Sequence, residues 1–133
     1  MVFRKVDPSD IQRLLVLEQQ LSENLRVSKS IIEKRIEKNR AYTFIQEKEN
    51  TVTAVLYAQR VSNIDNTTFD KLFDKVDDDG EIIQFINIIS HCEHSGSGLE
   101  LLAFAKKHFC SLNGIKRIVA FSRCKNEVPL PEY

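Results

Sequence analysis

The segment from Glu81 to Ile89 holds six large apolar residues in nine positions: Ile82, Ile83, Phe85, Ile86, Ile88 and Ile89. Alternation of polar and apolar residues is absent, which predicts a central strand buried on both faces. The chain then reads His91-Cys92-Glu93-His94-Ser95-Gly96-Ser97-Gly98. Leu99, Leu101, Leu102, Ala105, Phe109 and Leu112 follow at helical spacing, and Asn113-Gly114 marks the stop. Ile115 to Ser122 reads as another strand. A strand, a crossover helix and a second strand pair in parallel, with a right-handed connection. This unit commits the chain to a sheet covered by helices.

The rest of the sequence adds antiparallel pieces. Phe3 to Val6 reads as a first strand. Asp7-Pro8-Ser9-Asp10 announces a helix, with Asp7 as N-cap and Pro8 at the first helical position. Ile11, Leu14, Leu15, Leu21 and Leu25 predict one apolar stripe running through it. Ser28 is placed to cap a second helix carrying Ile31, Ile32 and Ile36 and ending near Asn39. Tyr42 to Gln46 and Thr51 to Val61 predict a hairpin across the polar turn Glu47 to Asn50. Residues Ser62 to Gly80 read as an inserted loop with a short amphipathic piece at Phe69, Leu72 and Phe73. The predicted order is β-α-α-β-β-β-α-β, a mixed α/β (α+β) domain with a mixed central sheet.

With 133 residues, the chain is one domain with enough length to bury a core. Nineteen basic and nineteen acidic side chains leave a formal net charge of zero, which argues against a phosphate-backbone binder and so against nucleic acid as partner. No apolar run approaches the roughly 20 residues of a membrane helix, and the first residues lack the apolar stretch of a signal peptide. Cys92, Cys110 and Cys124 are odd in number and irregular in spacing, which suits a reducing compartment. The expectation is a cytoplasmic protein.

The chemistry sits at residues 88–99. Gly96 and Gly98 leave the backbone bare where a helix begins. Small residues there let a ligand reach main-chain N–H groups at the positive end of a helix, which suits phosphate. Ser95 and Ser97 add hydroxyl donors. A tight turn without a ligand would use the same glycines. The stretch is neither a P-loop, which ends in Gly-Lys-Ser/Thr, nor a dinucleotide fingerprint, which sits in the first βα unit.

The topology and this junction resemble the GNAT superfamily of N-acetyltransferases. Their hallmark is Q/R-x-x-G-x-G/A, whose N–H groups hold the pyrophosphate of acyl-CoA. Glu93-His94-Ser95-Gly96-Ser97-Gly98 matches both glycines, with Glu93 in place of Gln or Arg. A narrower resemblance, to the GNAT-like loading domains of polyketide synthases, rests on four segments. These are Thr67-Thr68-Phe69, Gly80-Glu81-Ile82-Ile83-Gln84-Phe85-Ile86-Asn87-Ile88, Gly114-Ile115-Lys116-Arg117-Ile118-Val119 and Ser122-Arg123-Cys124-Lys125-Asn126. The resemblance implies acyl transfer from acetyl-CoA or malonyl-CoA, with decarboxylation of the latter, onto an acyl carrier protein. It implies that the backbone of Ile88 and Ile89 pairs with the pantetheine arm. Glu93, His94, Ser95, Gly96, Ser97, Gly98 and Leu99 would surround the pyrophosphate. Ser122 stands where the family has a Thr, and its hydroxyl would donate to the thioester or enolate oxygen as charge develops. The family's downstream His, last helix and last strands have no counterpart here, so the expectation is a domain, residues 1–133, incomplete at its C-terminus. The alternative reading is a non-catalytic CoA-binding or protein-interaction module. Ile115, Ile118, Val119, Ala120 and Phe121 predict an apolar edge that self-associates or takes a complementing chain.

The remaining motifs carry blander expectations. His91, Cys92 and His94 lack paired ligand spacing, and His108 lies at the far end of a helix from His94, so no metal is expected. Asp77-Asp78-Asp79-Gly80 fails as a calcium loop, because Lys75 and Ile86 occupy its first and twelfth positions. Cys110 and Cys124 read as packed thiols. The charged run Lys29 to Arg40 reads as the solvated face of the second helix.

Overall fold

The computed structural model describes residues 1–23, 26–64, 76–91 and 96–120. Five strands form one sheet in the order β1 (Val2–Lys5), β2 (Phe44–Lys48), β3 (Thr51–Val61), β4 (Ile82–Ser90) and β5 (Arg117–Ala120). The first four are antiparallel neighbours, and β5 runs parallel to β4. Helices α1 (Ile11–Glu18) and α2 (Lys29–Asn39) lie between β1 and β2 in sequence, and α3 (Ser97–Cys110) connects β4 to β5. The sequence-predicted element order holds.

Alternating side chains send the sheet's apolar residues to two cores. On one face Ile45, Val55, Tyr57, Ile86 and Ile89 pack with Leu14 and Leu17 of α1 and Ile32 and Ile36 of α2. On the other, Phe44, Leu56, Ile83, Phe85 and Ile118 pack with Leu101, Ala105 and Phe109 of α3. The α3 contact is strongly aromatic, with Phe3 stacked on Phe104 at 4.7 Å and His108 edge-on to Phe44 at 4.8 Å.

Local chemistry explains the element ends. Asp7 accepts from the Ser9 N–H at 2.9 Å while its own N–H donates to Asp10 at 2.7 Å, closing a short 3₁₀ turn, Pro8–Asp10, ahead of α1. Arg4 and Arg13 hold the Asp10 carboxylate, and both also reach Glu47, so β1, α1 and β2 share one ion-pair network. Glu49 and Asn50, with φ of 49° and 65°, make the two-residue hairpin turn between β2 and β3. Ser28 caps α2, accepting from the Ile31 N–H at 3.4 Å.

Three sequence expectations are corrected. The apolar stripe of the first helix does not run on through Leu21 as helix. Arg26 donates to the carbonyls of Leu21 and Gln19 at 2.9 and 3.0 Å, capturing the turn after Glu18, and Leu21 still packs on the core from non-helical backbone. Leu25 lies outside the described residues. The charged run of α2 is not uniformly solvated, because Arg35 falls on the Ile32–Ile36–Asn39 stripe and is buried. Its guanidinium carbon lies 4.8 Å from the centre of the Tyr57 ring. Cys110 is exposed, not packed. It lines a groove of about 330 Å³ with Lys106, Ile115, Lys116, Arg117 and Ile118.

Candidate functional site: the open half of β4

Strand β4 changes character midway. From Ile82 to Phe85 it pairs with β3 on one side and with β5 on the other. The β5 pairing ends at Phe85 and Ala120. The next residue, Ile86, has no partner on β3, since Tyr57 faces Asn87 and Ala58 faces Phe85. This is a β-bulge, which bends a strand and increases its twist. Beyond it, Asn87 to Ser90 pair with β3 alone among the described residues.

The ladder fixes which main-chain groups face the open side. The His91 N–H donates to Thr53 at 2.8 Å. N–H and C=O groups alternate along a strand, so those of Ile89 also turn to β3, while those of Ile88 and Ser90 turn away from it. An extended ligand lying beside β4 would therefore meet the main chain of Ile88 and Ser90.

The first turn of α3 closes over the same place. A Cβ on Gly98 would lie 3.2 Å from the Ser90 Oγ and 3.9 Å from the Ile88 Cδ1. Glycine is what lets the helix start this near the strand. Gly96, at φ 90°, holds the left-handed turn that redirects the chain into α3. Its N-cap, Gly96, makes no side-chain cap hydrogen bond. Ser97 is 1% exposed, and its Oγ has no hydrogen-bond partner among the described residues. N–H groups at a positive helix end that the N-cap residue does not cap, glycine approach and a hydroxyl without a described partner together fit an anion with several oxygens. Ile88, 37% exposed, and Leu99, 74% exposed, offer apolar surface beside it.

Of the sequence-predicted site residues, Ile88, Gly96, Ser97, Gly98 and Leu99 gather at this junction, and Ile89 packs its side chain into the α1/α2 core. Glu93, His94, Ser95 and Ser122 lie outside the described residues, as do Cys92 and Cys124. The expected pairing of a ligand with the Ile89 main chain is corrected, since its N–H and C=O turn to β3; Ser90, two steps past Ile88 on the open edge, takes that place, and strand alternation made it available from the sequence. Among the described residues no group of three metal-ligating side chains converges. No described helix is long and apolar enough to cross a membrane.

The fold is that of the GNAT superfamily. The loading GNATL domain of CurA from Lyngbya majuscula superposes with a TM-score of 0.85 at 29% identity, over 98% of this chain and 70% of that one. The GphF GNAT-like decarboxylase, solved with isobutyryl-CoA, matches with a TM-score of 0.87 at 23% identity, over 95% of this chain and 68% of that one. Diaminobutyrate acetyltransferase EctA from Paenibacillus lautus, solved with its substrate and coenzyme A, matches at 0.64 and 14% identity, over 90% of this chain and 63% of that one. No protein-family model matches the sequence, and no curated protein sequence matches it.

Proposed function

We propose that this chain is an acyl-CoA-dependent acyltransferase of the GNAT type, related to the domains that load polyketide synthases. One observation carries the reading: the open half of β4 and the glycine-bearing start of α3 meet at Ile88, Ser90 and Gly98, on a fold shared with structures that hold CoA or an acyl-CoA. In this reading the pantetheine arm lies along the β4 edge and takes main-chain hydrogen bonds from Ile88 and Ser90. The pyrophosphate sits on the N–H groups of Ser97, Gly98 and Leu99, with His94 and Ser95 beside it.

The reaction passes the acyl carbon from the CoA sulfur to an acceptor sulfur. One C–S bond forms and one breaks, and the acceptor thiol's proton ends on the departing CoA thiolate. An acyl carrier protein is the acceptor that the loading-domain likeness suggests. Ser122 would donate to the thioester oxygen. A complementing chain or second copy at the β5 edge belongs to the same reading.

Ligand-dependent stability tests it. CoA or acetyl-CoA should raise the melting temperature by mass action. Glu93→Gln should enlarge that rise by removing a carboxylate near the pyrophosphate. A folded sample with no shift at saturating CoA would sink the reading. CoA binding without turnover of acetyl-CoA or malonyl-CoA would select the binding-module alternative.

A further inference from the structure

The groove at Lys106, Cys110, Ile115, Lys116, Arg117 and Ile118 lies apart from the open half of β4. Ile115 and Ile118 give it an apolar floor, and both pack on the α3 core. Its charged lining is Lys106, Lys116 and Arg117, all basic, and no acidic residue among the described ones shares it. Lys116 reaches out of the groove to Glu81 at 3.1 Å. Both side chains of that pair are largely exposed, so it is worth little and yields to a competing carboxylate. An apolar floor under a cationic rim fits an amphipathic helix with acidic flanks.

The position of the groove relates it to the candidate site. Ser97 opens α3, and Lys106 lies nine residues further along it. At about 1.5 Å per residue, the groove begins about 14 Å down the helix from the glycine-bearing turn. On the sheet, Arg117 and Ile118 face Ile82 and Ile83 in the closed half of β4. The ladder ends at Ala120 and Phe85, and the open half runs from there back towards the start of α3. A ligand with its pyrophosphate on the first turn of α3 and its arm along β4 directs its acyl end towards the groove's end of the sheet. A partner seated in the groove meets that end and leaves the nucleotide end clear.

Resting on the acyl-CoA reading above, we propose that the groove between α3 and β5 is the docking surface for the protein that bears the acceptor thiol, which enters it with the acidic face of a helix. Lys106, Lys116 and Arg117 meet its carboxylates, and Ile115 and Ile118 meet its apolar stripe. Three residues separate Arg117 from Ala120, which places the docked helix about 10 Å from the end of the β4–β5 ladder. A thiol on a flexible arm spans that gap.

The probe is the acyl carrier protein of fatty-acid synthesis, an acidic helical protein, in its apo form so that no arm enters the acyl-CoA site. Cys110 reports on occupancy, since its thiol is exposed in the groove. Its alkylation by N-ethylmaleimide, mapped by peptide mass spectrometry, should slow severalfold at saturating carrier protein. Binding should weaken as salt is raised. Lys116→Glu combined with Arg117→Glu should weaken it by about tenfold or more. Lys29→Glu combined with Lys34→Glu reverses two exposed charges on α2 and should leave binding within about twofold. Both double variants should keep the CoA-induced rise in melting temperature. Unchanged alkylation of Cys110, equal losses in the two double variants, or no binding of the carrier protein would overturn the proposal. Such a failure beside an intact CoA response defeats the docking surface alone; no CoA response in the parent defeats the acyl-CoA reading with it.

Discussion

Ile82 to Phe85 and Asn87 to Ser90 are two halves of one strand in opposite surroundings. The first half is flanked by strands on both edges and buried on both faces. The second half keeps β3 on one edge, faces α3's first turn with Ile88 and Ser90, and is partly exposed. Both are rich in isoleucine, so composition does not separate them. The bulge at Ile86 does, by bending β4 where β5 stops pairing. A fully paired edge makes a core; an unpaired edge beside a helix N-terminus makes a place for an extended, anionic ligand.

The largest effect should come from the closed half. A Cβ on Gly80 would lie 2.2 Å from the Val61 carbonyl oxygen, and backbone cannot yield as a flexible side chain would. Gly80→Val should destabilise by about 4 kcal/mol or more, read by chemical denaturation. A near-normal midpoint would show that the entry to β4 is more yielding than described.

Paired substitutions sharpen the contrast. Ile83 is fully buried in the closed half, so Ile83→Ala should cost about 2–5 kcal/mol. Ile88→Ala in the open half should cost less than about 1 kcal/mol of stability. It should nonetheless reduce the CoA-induced rise in melting temperature. Equal stability costs would erase the distinction between the halves.

Gly98→Val should cost about 1–2 kcal/mol by crowding the Ser90 side chain. It should also abolish the response to CoA. Gly98→Ala should keep most stability with a weakened response. Unimpaired CoA binding by the valine variant would remove the first turn of α3 from the site.

The smallest effect concerns how α3 is held on the sheet. Burial, with Lys5 adding to it, holds the His108 imidazole below its ordinary value of 6.5. The unfolded chain therefore takes up that proton first as the pH falls. Stability from this group is intact above about pH 6.5, declines below it, and levels off once the folded imidazole is protonated. His108→Gln should flatten that part of the pH profile. An unchanged slope would assign the titration to another group.

The sequence displayed the βαβ unit clearly because its apolar runs, glycines and stop signal agree at every level. Strand β3, Thr51–Val61, and the start of α2 at Ser28 were legible for the same reason. The break within β4 was not, since a run of isoleucines on both faces carries no periodic mark of a bulge. Arg35 was hidden in a charge-rich helix. Only its spacing from Ile32, Ile36 and Asn39 marks the buried stripe, and its partner, Tyr57, is twenty-two residues away on another element. The glycines at 96 and 98 were legible as small residues at the turn from strand into helix. That Ser90 is what Gly98 makes room for needed the packing of helix on strand.

Hydrogen–deuterium exchange along β4, with and without acetyl-CoA, tests the central claim most directly. The amides of Ile83 to Phe85 should be protected in both states, because β3 and β5 already hold that half. Those of Ile88 and Ser90 should exchange quickly in the free protein and slow on adding the ligand, together with the first amides of α3. Protection confined to other elements, or none at a saturating concentration, would contradict the assignment of this edge to acyl-CoA.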